Sequence, residues 1–253
     1  MMRAITVLSM AALALAGCDP EATAPATPRS AKASPSAAPT AAAPDIARCD
    51  AQHVRHEDDP LPGDPVAIPK PFRGIAKASA FELALLTQSG ATVCDNNTWV
   101  SAIANMAWLR EDRLLGWEWQ GYEAYGYRVF DRAGKGTVIE TGARPAFSPG
   151  GNRFASVEYS ESGFGALSGY GVWEVRPDTL AQLGGDATVF EGEGETARFS
   201  EPEVFAGTYG EWSISGWKGE TCVGIEMRDQ DGSRTTFHAA QSAGWRIAPG
   251  RCP

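Results

Sequence analysis

A chain of 253 residues with 43% hydrophobic side chains can bury one large core or two small ones, and its 31 Asp and Glu against 22 Lys and Arg give a formal net charge of −9. The first 46 residues are balanced in charge, so the whole excess belongs to the remainder. A region this acidic repels phosphate backbones and anionic lipid heads, which argues against nucleic acid as a partner and against electrostatic adhesion to a membrane.

Residues 1–17 hold one cationic side chain, Arg3, then an apolar run through Val7, Leu8, Met10, Leu13 and Leu15, then small residues before Cys18. This is the layout of a secretory signal, too short to cross a bilayer as a helix. Its ending, Leu15-Ala16-Gly17-Cys18, resembles the lipobox of bacterial lipoproteins. The resemblance implies cleavage before Cys18, a diacylglyceryl group and an amide-linked acyl chain on that cysteine, and stable anchoring, since three chains exceed the two signals that anchoring needs. Asp19 follows at once; in enterobacteria-like sorting that position favours retention at the inner membrane over the outer. The implied address is the cell envelope, facing the periplasm. The segment 18–46 is written in Ala, Pro, Thr and Ser, with scarcely a large apolar side chain before Ile46. Such a segment cannot offset its ordering entropy, so a disordered tether is expected ahead of a folded domain at 47–253.

Four further cysteines, Cys49, Cys94, Cys222 and Cys252, form an even set in an exported chain and read as two disulfides. Three pairings are open, and the sequence-local one, Cys49 with Cys94 and Cys222 with Cys252, is the expectation. Zinc is the competing reading, which the wide spacings and the lack of a C-x-x-C pair disfavour.

From about Ala78 onward, short β-type runs alternate with Gly, Pro, Asp and Asn. Four hairpins are expected. Phe81–Leu86 turns at Gln88-Ser89-Gly90, Tyr127–Asp131 at Ala133–Gly136, Gly171–Val175 at Arg176-Pro177-Asp178, and Gly224–Arg228 at Gln230-Asp231-Gly232. Their turns lie roughly 45 to 53 residues apart, near the period of propeller blades. Between them runs a second unit, most complete at Phe147-Ser148-Pro149-Gly150-Gly151-Asn152-Arg153-Phe154-Ala155, whose turn residues preset or permit the required φ values. Phe147 precedes Phe154 by seven residues, as Trp108 precedes Leu115 and Phe205 precedes Trp212. The unit resembles the F-S-P-x-G-x-x-x-A signature of WD-repeat-like and Tol-system-type β-propellers, in which this turn joins the innermost strands of a blade. The expected fold is all-β, a propeller-like repeat of about four antiparallel sheets, with a β-sandwich as the alternative. A disulfide near the chain ends is one means of closing it.

Chemical motifs are scarce. The histidines are His53, His56 and His238, and no serine sits in a G-x-S-x-G elbow; Gly165-Ala166-Leu167-Ser168-Gly169 reads as a glycine loop. His53, His56, Glu57, Asp58 and Asp59 could meet one cation, but turn-forming neighbours favour a solvated loop. Glu191-Gly192-Glu193-Gly194-Glu195 lacks calcium-loop spacing and reads as acidic surface. Five aromatics crowd 117–127: Trp117, Trp119 and Tyr127 are expected in the core, and Tyr122 and Tyr125, in a loop, as a rim for a sugar or a protein. No catalytic, cofactor or metal motif is recognised, so a non-catalytic binding role is expected. The alternative is an envelope hydrolase with a carboxylate pair.

Overall fold

Turn chemistry and period-two alternation produce fifteen strands and one short α-helix in the residues that the computed structural model describes, 42–159, 166–167, 169–185 and 210–253. The strands form four antiparallel sheets, each a meander in which sequential strands pair. The first sheet holds β1 (Ala76–Ala78), β2 (Glu82–Leu86) and β3 (Thr92–Asn96). In the second are β4 (Val100–Arg110), β5 (Leu114–Gly121), β6 (Tyr125–Asp131) and β7 (Thr137–Glu140). The third contains β8 (Ala146–Phe147), β9 (Arg153–Glu158), β10 (Gly169–Val175) and β11 (Leu180–Gly185). The fourth contains β12 (Gly210–Lys218), β13 (Cys222–Asp229), β14 (Arg234–Ala240) and β15 (Ile247–Pro249). The protein is therefore all-β with four antiparallel sheets, as the sequence indicates. All four expected hairpins are present, as β2–β3, β6–β7, β10–β11 and β13–β14.

The seven-residue unit has a structural meaning. Phe147 and Phe154 are cross-strand partners on β8 and β9 with ring centroids 5.3 Å apart, and Trp108 and Leu115 are partners on β4 and β5. Each pair continues across its sheet, Leu115 to Phe130 and Phe154 to Trp173, so the second and third sheets carry equivalent apolar rows. Phe205 lies outside the described residues; Trp212 sits on β12 with its ring 5.2 Å from Phe237.

Three apolar clusters lie between successive sheets. Leu83, Leu85, Leu115, Trp117 and Phe130 join the first sheet to the second. Leu114, Tyr127, Val129, Ile139, Phe154 and Trp173 join the second to the third. Val157, Val172, Val223, Ile225, Phe237 and Ala239 join the third to the fourth. A strand in an inner sheet buries both faces, and this is why Leu114-Leu115-Gly116-Trp117 and Gly169-Tyr170-Gly171-Val172-Trp173 carry no charged residue and show no alternation. Such a stack of sheets in chain order suits a propeller-like or a sandwich-like arrangement.

The expected disulfides both form: Cys49–Cys94, with Cα atoms 5.3 Å apart, and Cys222–Cys252, with 6.0 Å. The first pins helix α1 (Ile46–Gln52) to β3, and the second ties the C-terminal segment to β13. Neither links the first sheet to the last, so closure of the repeat by a disulfide is not their role. Helix α1 has no counterpart in the sequence reading. Asp45 caps it through a side-chain bond from the Arg48 amide, while the Asp45 amide donates to Thr92 Oγ1 at 3.0 Å.

The Ser148–Asn152 turn does more than reverse the chain. Glu220, in the β12–β13 turn, accepts from Ser148 Oγ at 2.7 Å and from the Gly150 amide at 2.6 Å. A Cβ on Gly150 would lie 2.7 Å from that carboxylate, so glycine permits the close approach. The Trp217 indole donates to the Ala146 carbonyl at 3.0 Å beside it. The turn thus docks the third sheet onto the fourth.

Candidate functional site: a cleft on the second sheet

Alternation along β5 and β6 sends Glu118, Gln120, Tyr125 and Tyr127 to one face of the second sheet and Trp117, Trp119 and Arg128 to the other. The first of these faces borders a cleft of about 390 Å³, lined by Ala102 and Ala104 of β4, by those four residues, by the Trp119 and Gly126 strand positions, and by Gly142, Ala143 and Arg144 between β7 and β8. A β-bulge shapes its floor. The β4–β5 register shifts between Ala104 and Ala107, and Asn105 takes φ of +50° there. From this position Asn105 Nδ2 donates to Glu118 Oε2 at 2.7 Å, which orients the carboxylate.

Arg144 lines the same cleft, exposed and without an ion pair among the described residues. Tyr127, only 2% exposed, lies near both charges. Burial pushes its phenol up to about 12, Arg144 acting against that rise and Glu118 adding to it. The ring is a neutral wall. Its hydroxyl lies over Gly116, where a Cβ would come within 2.5 Å, and has no hydrogen-bond partner among the described residues.

The rim is aromatic. Tyr122 is 78% exposed, Tyr125 47% and Trp99 50%, and they are three of the five large apolar side chains that face solvent among the described residues. Tyr122 and Tyr125 are both accessible, as expected, although Tyr125 is the first residue of β6 and not part of the loop. Trp99 adjoins them because Gly121 packs against its carbonyl, where a Cβ would sit at 2.3 Å. Its one signal in the sequence is a large aromatic directly after the polar turn Asn96-Asn97-Thr98, with no alternation to bury it.

The other face of the sheet is closed by paired charges. Arg128 Nη1 donates to Asp95 Oδ2 at 2.9 Å and Arg128 Nε to Glu140 Oε2 at 3.1 Å. The Trp119 indole donates to the same Glu140 oxygen at 2.9 Å, and the guanidinium lies 5.1 Å above that ring. Burial pushes Glu140 up to about 7 against the pull of Arg128, and Asp95 is raised for the same reason. Trp117 and Tyr127 are buried, as expected, and Trp119 is held in this network.

The remaining candidates do not converge. The His53 ring stacks on Phe81 at 4.8 Å, with Nδ1 2.8 Å from Glu82 Oε1 and Nε2 3.8 Å from Asp59. Burial raises the Glu82 carboxyl above its usual range, with His53 opposing. His53 is thus packed into the domain, not part of a solvated loop, while His56, Glu57 and Asp58 are exposed. Among the described residues no group of three His, Cys, Asp or Glu could hold a metal ion. Ser168 and Glu191–Glu195 lie outside the described residues. Within them no helix is long and apolar enough to cross a membrane. No protein-family model, curated protein or solved structure matches the chain.

Proposed function

We propose that this is a lipid-anchored protein of the bacterial cell envelope whose β-domain binds another envelope component without catalysing a reaction. Cys18 is the lipid attachment site, residues 19–41 are the tether, ending short of the Asp45 cap of α1, and the domain faces the periplasm, with Asp19 favouring the inner membrane. The observation that carries the binding role is the gathering of Trp99, Tyr122 and Tyr125 at one end of the second sheet, beside a cleft with an oriented carboxylate and an unpaired guanidinium. Exposed aromatics beside a cleft that carries two charged side chains suit recognition, since rigid rings bury area at low entropic cost.

The hydrolase alternative needs two carboxylates in one cavity. Glu118 pairs across the sheet with Tyr127 and Glu140 with Arg128, and adjacent residues of β6 face opposite ways. The two acids therefore lie on opposite faces, and Glu140 is committed to Arg128 and Trp119.

Two experiments test the reading. In cells labelled with a radioactive fatty acid, Cys18→Ala abolishes labelling and releases the protein from the membrane fraction; retention of label would contradict the anchor. Mild crosslinking followed by purification from native membranes should capture a partner with the wild type and lose it with Tyr122→Ala/Tyr125→Ala. Equal capture by both would contradict the rim.

A further inference from the structure

We infer that the Glu118–Arg144 cleft is a saccharide site, taking one or two hexose rings of an envelope glycan that carries a carboxylate. The inference rests on the binding role proposed above and names the class of ligand. A hexose has an apolar face of C–H groups and a rim of hydroxyls, and each feature meets its complement here. The half-exposed Tyr125 ring offers a platform for the apolar face. Asn105 occupies one oxygen of Glu118 and leaves the other to accept from a ring hydroxyl, a charge-assisted bond. Arg144, unpaired among the described residues, presents a planar fork that fits a carboxylate in two-point contact. The cleft of about 390 Å³ falls within the range of small-molecule sites, with room for on the order of two rings.

Two observations weigh against other ligands. A net charge of −9 repels polyanions, so a phosphate-rich glycan or a lipid headgroup surface is disfavoured, while a single carboxylate facing Arg144 is not. An extended peptide would add itself to the open edge at β4, yet the β4–β5 pairing shifts register at three places. Bulges of this kind twist a strand and deny an incoming chain a regular ladder.

The test is calorimetric titration of the full lipidated protein in detergent micelles. The probes are the disaccharide of N-acetylglucosamine and N-acetylmuramic acid, which carries one carboxylate, and neutral N-acetylglucosamine trimer. The acidic disaccharide should bind with Kd below about 1 mM and about tenfold more tightly than the neutral trimer. Glu118→Gln and Tyr125→Ala should each weaken binding of both probes by about tenfold or more, and Arg144→Ala should abolish the preference for the acidic probe. Melting temperatures equal to wild type show that the variants are folded. Absence of heat with both saccharides at millimolar concentration, or binding indifferent to all three substitutions, overturns the assignment. If that happens while the crosslinked partner still depends on Tyr122 and Tyr125, the saccharide assignment alone falls and the partner is a protein. If the wild type also captures no partner, or captures it no better than Tyr122→Ala/Tyr125→Ala, the binding role falls with it.

Discussion

The two faces of the second sheet are made from the same strands and treat charge in opposite ways. Facing the first sheet, Arg128 is buried with two carboxylates and an indole, and every charge there has a partner. On the opposite face, Glu118 and Arg144 line a cleft, one oriented by a neutral amide and the other unpaired among the described residues. A buried charge must be compensated or it destabilises the fold, whereas a half-exposed one can remain available because water solvates it until a ligand arrives. The contrast separates charges that are compensated within the fold from charges left available to a ligand.

Substitutions can break this contrast, and the largest effect should come from Arg128. Arg128→Met leaves Asp95 and Glu140 buried without their cation and should cost about 3 to 5 kcal/mol in urea unfolding. A cost below about 1 kcal/mol would mean that water already compensates these acids.

The next effect is in pH. The Glu140 carboxyl sits at about 7 in the folded state against 4.5 ordinarily, so the folded protein holds a proton that the unfolded chain has released between those values. Its contribution is fully present below pH 4.5 and is lost as pH rises through 7. Wild-type stability should therefore fall by about 1 to 3 kcal/mol more than that of Glu140→Gln between acid and mildly basic conditions. Parallel curves for the two proteins would remove Glu140 as the source.

On the cleft face, Glu118→Gln and Arg144→Ala should each change stability by no more than about 0.5 kcal/mol while altering ligand affinity or selectivity. Smallest of all, Tyr122→Ala should leave the melting temperature unchanged, since the ring is already in solvent.

Much of the scaffold is legible in the sequence because its signals are local. Gln88-Ser89-Gly90 and Gln230-Asp231-Gly232 announce hairpins by turn chemistry, and Phe147 and Phe154 show a seven-residue spacing because they are cross-strand partners around one turn. The sequence-local cysteine pairing holds because each bridge ties a terminal segment to a nearby strand of its own end of the stack. Helix α1 is not legible, since its seven residues bury only Cys49 and so show no helical period. Half of the candidate site is readable: Tyr122 and Tyr125 stand out as aromatics near flexible glycines. Asn105, Glu118 and Arg144 do not, because a bulge, a strand and a connection bring them together from separate parts of the chain. His53 is misread for the same reason. Its partners, Phe81 and Glu82, lie far along the sequence, and without them it looks solvated.

Site-specific photocrosslinking in cells tests the central claim most directly. A benzophenone amino acid in place of Tyr125 should trap an envelope partner or glycan, and the same group in place of Thr236, on the polar outer face of the fourth sheet, should trap none. Equal trapping at both positions, or trapping only at 236, would contradict the assignment of the cleft as the binding face.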